Sequence, residues 1–429
     1  MSDNSLVLSK SETNTFSTIQ LTGSKSESNR ALILNALSRG KVVVNNLSSA
    51  DDTVILNGVL RSLETGKDNA TFGNGSLSHS GGDVTVNIGP AGTAMRFLTA
   101  YLSVTGTAAV LTGTERMKQR PIGILTDALR QLGAEIQYAG VEGFPPLRFA
   151  NDFNQATNKV SIRGNVSSQY ITALLLVAPF LEKGLELHIE GELTSRPYVE
   201  MTLAMMEEAG ISYNWQGSVI SVNNQDFKDS QLTIEPDWSA ASYWYAIAAL
   251  SKEARIILPY LKPRSLQGDS RITQIMKHFG VQSSFTAEGL EIVKTGDAPN
   301  GTFFDLKDCP DLAQTVIVVS AALGHNATFT GLETLKIKET DRIKALQNEL
   351  SKIGVTLKED GEQYHLDCSS LHFPERITIE TYEDHRMAMA FAPLALKIQH
   401  LEIEEPNVVV KSYPTFWADL QKAGFTINS

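Results

Sequence analysis

Ser24–Leu37 reads SKSESNRALILNAL, a polar opening that carries two cations and leads into a run apolar almost all round. The same design returns at Ala91 (AGTAMRFLTAYL), Ser167 (SSQYITALLLVAPF), Asp237 (DWSAASYWYAIAAL), Asp311 (DLAQTVIVVSAAL) and Asp384 (DHRMAMAFAPLAL). Successive starts lie 67, 76, 70, 74 and 73 residues apart. A period of about seventy that fills the chain implies an array of equivalent units. Runs that are apolar on every face suit helices enclosed by a domain, not helices lying on its surface.

The flanks complete the unit. Short alternating or β-branched segments precede the runs: FSTIQLTG, DVTVNIG, KVSIRG, QLTIEPD, GTFFDL and RITIETY. A second strand-like stretch follows each run, as in KVVVNNL or LELHIEG, and then an amphipathic helix such as DDTVILNGVLRSLE, DSRITQIMKHFG or DRIKALQNELSKIG. These second helices end at Gly66, Gly133, Gly210, Gly280, Gly354 and Gly424, where a left-handed cap costs least. The unit reads β-α-β-α-β, with one helix buried and one half exposed. Asp68–Asp83, rich in glycine and serine, reads as a surface loop or hairpin.

A chain of 429 residues exceeds what one hydrophobic core supports, so six units divide naturally as three and three. The net charge of −11 disfavours nucleic acid and anionic membranes as partners. Ile171–Leu181 is the longest apolar run and is too short to span a bilayer. The N-terminal MSDNSLVLSK lacks the pattern of a signal peptide. Cys309 and Cys368 make neither a metal spacing nor a disulfide framework, and a reduced cytoplasm is the expected location. The eight histidines show no paired ligand spacing, so no metal site is expected.

In so acidic a chain, cations gathered at helix starts call for a reason. Lys25 and Arg30, Arg96, Arg116 to Arg120, Arg342 and Arg386 all lie at or near such starts. The free N–H groups there already favour anions, and a cation placed there for stability alone opposes the helix dipole. Together they suit small ligands with several negative charges. Any one of them alone reads equally as a solvated charge or a weak ion pair. Acids lie among them. Asp311 and Asp384 are also ordinary N-caps, and Glu339, between Lys338 and Arg342, is also an ordinary ion-pair member.

The ordered set LTGSKSESNRALILNAL, GPAGTAMRFL, ERMKQRPIGILTDALRQLGA, SSQY, SRPYVEMT, KETDRI, TYEDHRMAMAF and KSYPTFW resembles the EPSP synthases, the 3-phosphoshikimate 1-carboxyvinyltransferases. The likeness runs from about Leu21 to the C-terminal helix. It implies an α/β fold of two domains, each of three βαβαββ repeat units, an inside-out α/β barrel with buried central helices. The first domain would comprise 1–22 with 239–429 and the second 23–238, with the active site in the cleft between them. The implied reaction moves the enolpyruvyl group of phosphoenolpyruvate to the 5-hydroxyl of shikimate 3-phosphate and releases phosphate. It proceeds by addition–elimination through a tetrahedral intermediate, as a step of aromatic amino acid and chorismate biosynthesis, with no metal or organic cofactor.

By the same resemblance, Asp311, Glu339 and Lys25 carry the catalysis, Asp311 as base for the 5-hydroxyl and Glu339 as proton donor to the methylene. Lys25 lies between the substrates and contacts both, as does Gln169. Shikimate 3-phosphate is held by Ser26, Arg30, Ser167, Ser168, Ser195, Tyr198 and Lys338, with Asp311. Phosphoenolpyruvate is held by Gly92, Arg120, Arg342, His385, Arg386 and Lys411. The family's susceptibility to glyphosate extends to a chain with Gly92. Pro90, Phe97 and Thr334 depart from the family pattern, where asparagine, proline and asparagine are common. Two other readings compete: a UDP-N-acetylglucosamine enolpyruvyl transferase, and an anion-binding repeat protein akin to RNA 3'-phosphate cyclases. The loop TGTERMKQR lacks the cysteine usual in the former, and the acidic charge speaks against the latter. The expected partners are the two small-molecule substrates only, without nucleic acid or membrane, and the expected state is a monomer.

Overall fold

The computed structural model describes residues 5–66, 69–80, 83–296 and 302–428. The chain forms two compact units, 1–22 with 235–429 and 23–234. The second crossing thus falls between Ile234 and Glu235, ahead of the boundary expected after Trp238. The local bonding explains why. Ile234 is tied to the second unit, its N–H donating to the Asn45 carbonyl and its carbonyl accepting from Asn46 Nδ2. Glu235 is buried in the first unit, where Oε1 accepts from Trp238 Nε1 and Lys262 N, each at 2.8 Å, and Oε2 from Ser265 Oγ. At the first crossing a Cβ on Gly23 would collide with the Asn46 carbonyl oxygen, so only glycine fits there.

In the first unit three four-stranded sheets share one pattern. Phe303–Asp305 runs parallel to Ala327–Thr330, which pairs antiparallel with Gln363–Asp367, which pairs antiparallel with Thr356–Asp360. The strand Arg376–Ile379 begins the same series beside His400–Glu404, but its third strand is Ser5–Ser9 from the N-terminus. The remaining sheet corrects the sequence reading. Asn14–Thr18, which overlaps FSTIQLTG at Phe16–Thr18, pairs parallel with Glu253–Leu258 and so belongs to the repeat whose buried helix is Trp238–Leu250. Conversely Ser230–Thr233, which overlaps QLTIEPD at Gln231–Thr233, pairs with Val42–Asn45 in the second unit. Each crossing separates a strand from the helix that follows it in sequence, and the strand stays with the unit that supplies its parallel neighbour.

The second unit contains the sheet Lys159–Arg163, Leu185–Glu190, Val219–Val222, Asn214–Gln216 in that order, and a six-stranded sheet. Asn69–Phe72 and Gly75–Ser80 form a hairpin on the edge of the latter. This is the glycine- and serine-rich stretch, of which residues 68, 81 and 82 lie outside those described.

Every residue of Ala313–Ala322 and of His385–Phe391 is buried, as is all of Trp238–Leu250 except Ser239. Val316, Ile317, Val318 and Val319 are each at most 1% exposed, and burying such a side chain stabilises by about 1.5–3 kcal/mol at the upper estimate. Pro179 and Pro393 end two of the buried helices early, at Val177 and Phe391, where the chain tightens into 3₁₀ turns. All six glycines read as helix ends have positive φ, from 64° at Gly66 to 112° at Gly133. One second helix is not continuous: Gly268–Phe279 is a 3₁₀ turn, a single α-turn Ile272–Ile275 and another 3₁₀ turn. The β-branched pair Ile272–Thr273 weakens its helix propensity.

Candidate active site

In the first unit the charged residues converge on Arg342, the first residue of the helix Arg342–Ser351. Its Nε donates to Asp384 Oδ2 at 2.7 Å, Nη2 to Glu339 Oε2 at 2.9 Å, and Nη1 lies 3.5 Å from Asp311 Oδ1. Arg386 Nη2 pairs with Asp311 Oδ2 at 2.8 Å, and Lys411 Nζ with Glu339 Oε1 at 2.8 Å. Three cations and three carboxylates therefore alternate in one network. Burial alone would lower the Arg342 pKa, but Asp384 and Glu339 outweigh it and the guanidinium is held firmly charged.

The three acids differ in their tasks. Asp384 is fully buried, caps its own helix through a 2.9 Å bond from Arg386 N and fixes Arg342, so its structural reading holds. Asp311 does not cap: it lies inside the 3₁₀ turn Pro310–Leu312, and no side chain caps the helix after it. Its side chain stays 21% exposed and that of Glu339 14%, while Arg342 beside them is 2% exposed. These two are the carboxylates that face outward. His385 is buried, with Nδ1 3.5 Å from Asp384 Oδ1, and Lys338 is half-buried just before Glu339.

In the second unit Lys25 opens the helix Lys25–Leu37, and its Nζ lies 3.5 Å from the buried Asp52. Gly92 opens Gly92–Val104 with the Arg120 guanidinium against it: a Cβ there would lie 2.6 Å from Nη1. Gln169 Nε2 donates to Thr93 Oγ1 at 3.2 Å, and the Ser167 hydroxyl caps the helix Ser168–Val177. Ser195 precedes Arg196–Glu208 in a left-handed conformation, φ 54°. Arg30 is only 2% exposed. Its guanidinium donates to Thr202, Thr172 and the carbonyls of Ser26 and Tyr198, and it lies 5.9 Å from the Tyr198 ring. Burial lowers its pKa to about 10, which still leaves it charged at neutral pH. Arg30 thus grips two residues expected to bind ligand.

The argument from helix starts is partly corrected. Lys25, Arg342 and Arg386 do lie in first turns. Arg96 lies further along its helix and turns back onto the Gly92 and Pro121 carbonyls, and Arg116 is held by Gln119. Asp52, Thr172, Thr202 and Asp384 complete the support of the cations. In sequence they are single acids and threonines, with nothing to set them apart from caps and helix-face residues. Among the described residues, no three histidine, cysteine or acidic side chains gather as a metal-binding group.

A family profile described as EPSP synthase (3-phosphoshikimate 1-carboxyvinyltransferase) matches residues 10–420. The chain belongs to the EPSP synthase family. A 3-phosphoshikimate 1-carboxyvinyltransferase of Bacteroides fragilis (strain YCH46) is 47% identical over 420 residues, covering 96% of each chain. One from Haemophilus influenzae (strain PittEE) is 35% identical over 419 residues, 94% of this chain and 96% of that one. The fold is that of an EPSP synthase from Acinetobacter baumannii, with a TM-score of 0.74 at 18% identity over 99% and 100% of the two chains. The enolpyruvyl transferase NikO from Streptomyces tendae shares it at a TM-score of 0.68, 15% identity and 99% coverage of both. As a member of the EPSP synthase family the chain is a transferase, and its activity is the carboxyvinyl transfer to 3-phosphoshikimate for which the family is named. The UDP-N-acetylglucosamine reading is not favoured.

Proposed function

We propose that these residues hold shikimate 3-phosphate and phosphoenolpyruvate while Asp311, Glu339 and Lys25 move protons. Ser26, Ser167, Ser168, Ser195, Tyr198 and Lys338 bind shikimate 3-phosphate, with Arg30 fixing Ser26 and Tyr198 from behind. Gly92, Arg120, Arg342, Arg386 and Lys411 bind phosphoenolpyruvate, whose carboxylate and phosphate call for several cations. Lys25 and Gln169 touch both ligands. The buried His385 serves the phosphoenolpyruvate side by setting the start of its helix.

In the addition step the 5-hydroxyl oxygen bonds to C2 of phosphoenolpyruvate. Asp311 takes the hydroxyl proton, and C3 accepts a proton from Glu339 to become a methyl group. The cations stabilise the tetrahedral intermediate that results. In the elimination C3 returns a proton, the C2–O bond to phosphate breaks, and the enolpyruvyl ether and inorganic phosphate leave. The observation that carries this reading is the contrast within the acid cluster. Asp384 is wholly buried on Arg342, whereas Asp311 and Glu339 hold the same guanidinium with one side open.

Glu339→Gln tests it, because the amide keeps shape and most hydrogen bonding and loses the proton. Turnover should fall by about 10²–10⁴, while shikimate 3-phosphate affinity changes far less. Steady-state kinetics beside calorimetric titration measure the two. Near wild-type turnover would make Glu339 an ion-pair partner of Arg342 and Lys411 and nothing more.

A further inference from the structure

Behind the Arg386–Asp311 pair lies a fourth acid that the reaction scheme does not use. Asp269, in the 3₁₀ turn Gly268–Arg271, is 3% exposed. Its Oδ2 accepts a hydrogen bond from the Ser239 hydroxyl, and its Oδ1 accepts none among the described residues. The Ser239 oxygen in turn accepts from Arg386 Nη2 at 3.4 Å, the same nitrogen that holds Asp311 at 2.8 Å. A chain of donors therefore runs from Arg386 through Ser239 to Asp269. Asp269 and Asp311 draw on one guanidinium nitrogen from two sides.

We propose that Asp269 is a positioning residue for the transfer reaction: through Ser239 it fixes Arg386 against Asp311 and sets how readily Asp311 takes up a proton. The inference rests on the function proposed above. A buried carboxylate oxygen with no partner is costly when ionised, so the proton of the neutral form sits on Oδ1. Burial first, and Asp311 second, push the Asp269 pKa up to about 7, against the pull of Arg386 and the Ser239 bond. The other ionisable groups facing it are Asp237, which adds to the rise, and Cys309, whose own pKa burial lifts to about 12 and which stays neutral. Below neutral pH a protonated Asp269 leaves Arg386 to Asp311, which then is a poor base. Above it, an ionised Asp269 draws on Arg386 and repels negative charge on Asp311, which raises the proton affinity of Asp311.

The test compares wild type, Asp269→Asn and Ser239→Ala in kcat and KM from acid to alkaline pH. Wild-type kcat should rise through an ionisation near the Asp269 pKa. In both variants that rise should be lost, with kcat lower by about three- to tenfold at alkaline pH and KM for shikimate 3-phosphate little changed. Ser239→Ala keeps the carboxyl and cuts only its link to Arg386. A second readout needs no substrate. Asp269 keeps its proton in the folded chain between its ordinary value of 3.8 and about 7, whereas the unfolded chain has lost it. The unfolded state binds fewer protons there, so stability falls as pH rises through that window. Asp269→Asn should remove that fall, as denaturant titrations at several pH values would record. Variants with the wild-type pH profile and kcat, or an Asp269→Asn stability curve parallel to wild type, overturn the proposal. A wild-type protein that fails to release phosphate from the substrate pair overturns the functional reading instead.

Discussion

At the scale of single residues, the site is a set of charges whose partners decide their roles. Gly92 shows how little room is left: an added Cβ would lie 2.6 Å from Arg120 Nη1 and 3.0 Å from Cζ. The guanidinium is the flexible end of its side chain, so Gly92→Ala displaces it instead of unfolding the protein. KM for phosphoenolpyruvate should rise. Glyphosate, longer than phosphoenolpyruvate, should lose more, by about tenfold, in competition kinetics at saturating shikimate 3-phosphate. Equal losses for both anions would mean that Arg120 alone is disturbed and the pocket is not narrowed. The cations Lys25, Arg342 and Arg386 were legible because cations are out of place at helix starts. Of the acids around them, Asp311, Glu339 and Asp384 were legible too, whereas Asp52 and Asp269 were not. Asp52 reads as an ordinary first-turn acid and Asp269 as a turn residue, and only the fold brings them to Lys25 and Ser239.

At the scale of elements, the sequence reveals what local chemistry controls. The six terminal glycines are legible because each takes a positive φ that other residues adopt at a cost. Strand membership depends on distant partners, which is why the repeat pattern joins FSTIQLTG and QLTIEPD to the helices that follow them, whereas pairing places each strand in the repeat of the other's helix. Ser195 takes a positive φ at a helix start without being a glycine. It holds φ 54° at the head of Arg196–Glu208, and its side chain makes no capping bond to that helix. Left-handed backbone in a residue other than glycine costs about 1–2 kcal/mol, so a serine kept there suggests work for its hydroxyl. Ser195→Gly should therefore stabilise the fold slightly, by up to about 1 kcal/mol, and still raise KM for shikimate 3-phosphate. Thermal unfolding and steady-state kinetics measure the two effects. An unchanged KM would remove Ser195 from the ligand set.

At the scale of the whole molecule, the six-fold repeat was visible in the sequence because each buried helix is apolar on every side and returns after about seventy residues. The position of the second crossing was less legible, since nothing in the residues flanking Ile234 and Glu235 marks the point where bonding changes from one unit to the other. Cations concentrated at a few helix starts give a chain of net charge −11 a local means of binding small, highly charged anions. The central claim is the choice of acceptor. Phosphate release from phosphoenolpyruvate, followed continuously with shikimate 3-phosphate or with UDP-N-acetylglucosamine as the second substrate, tests it most directly. The account predicts release that depends on shikimate 3-phosphate and a background rate with the sugar nucleotide; release with the sugar nucleotide and none with shikimate 3-phosphate would contradict it.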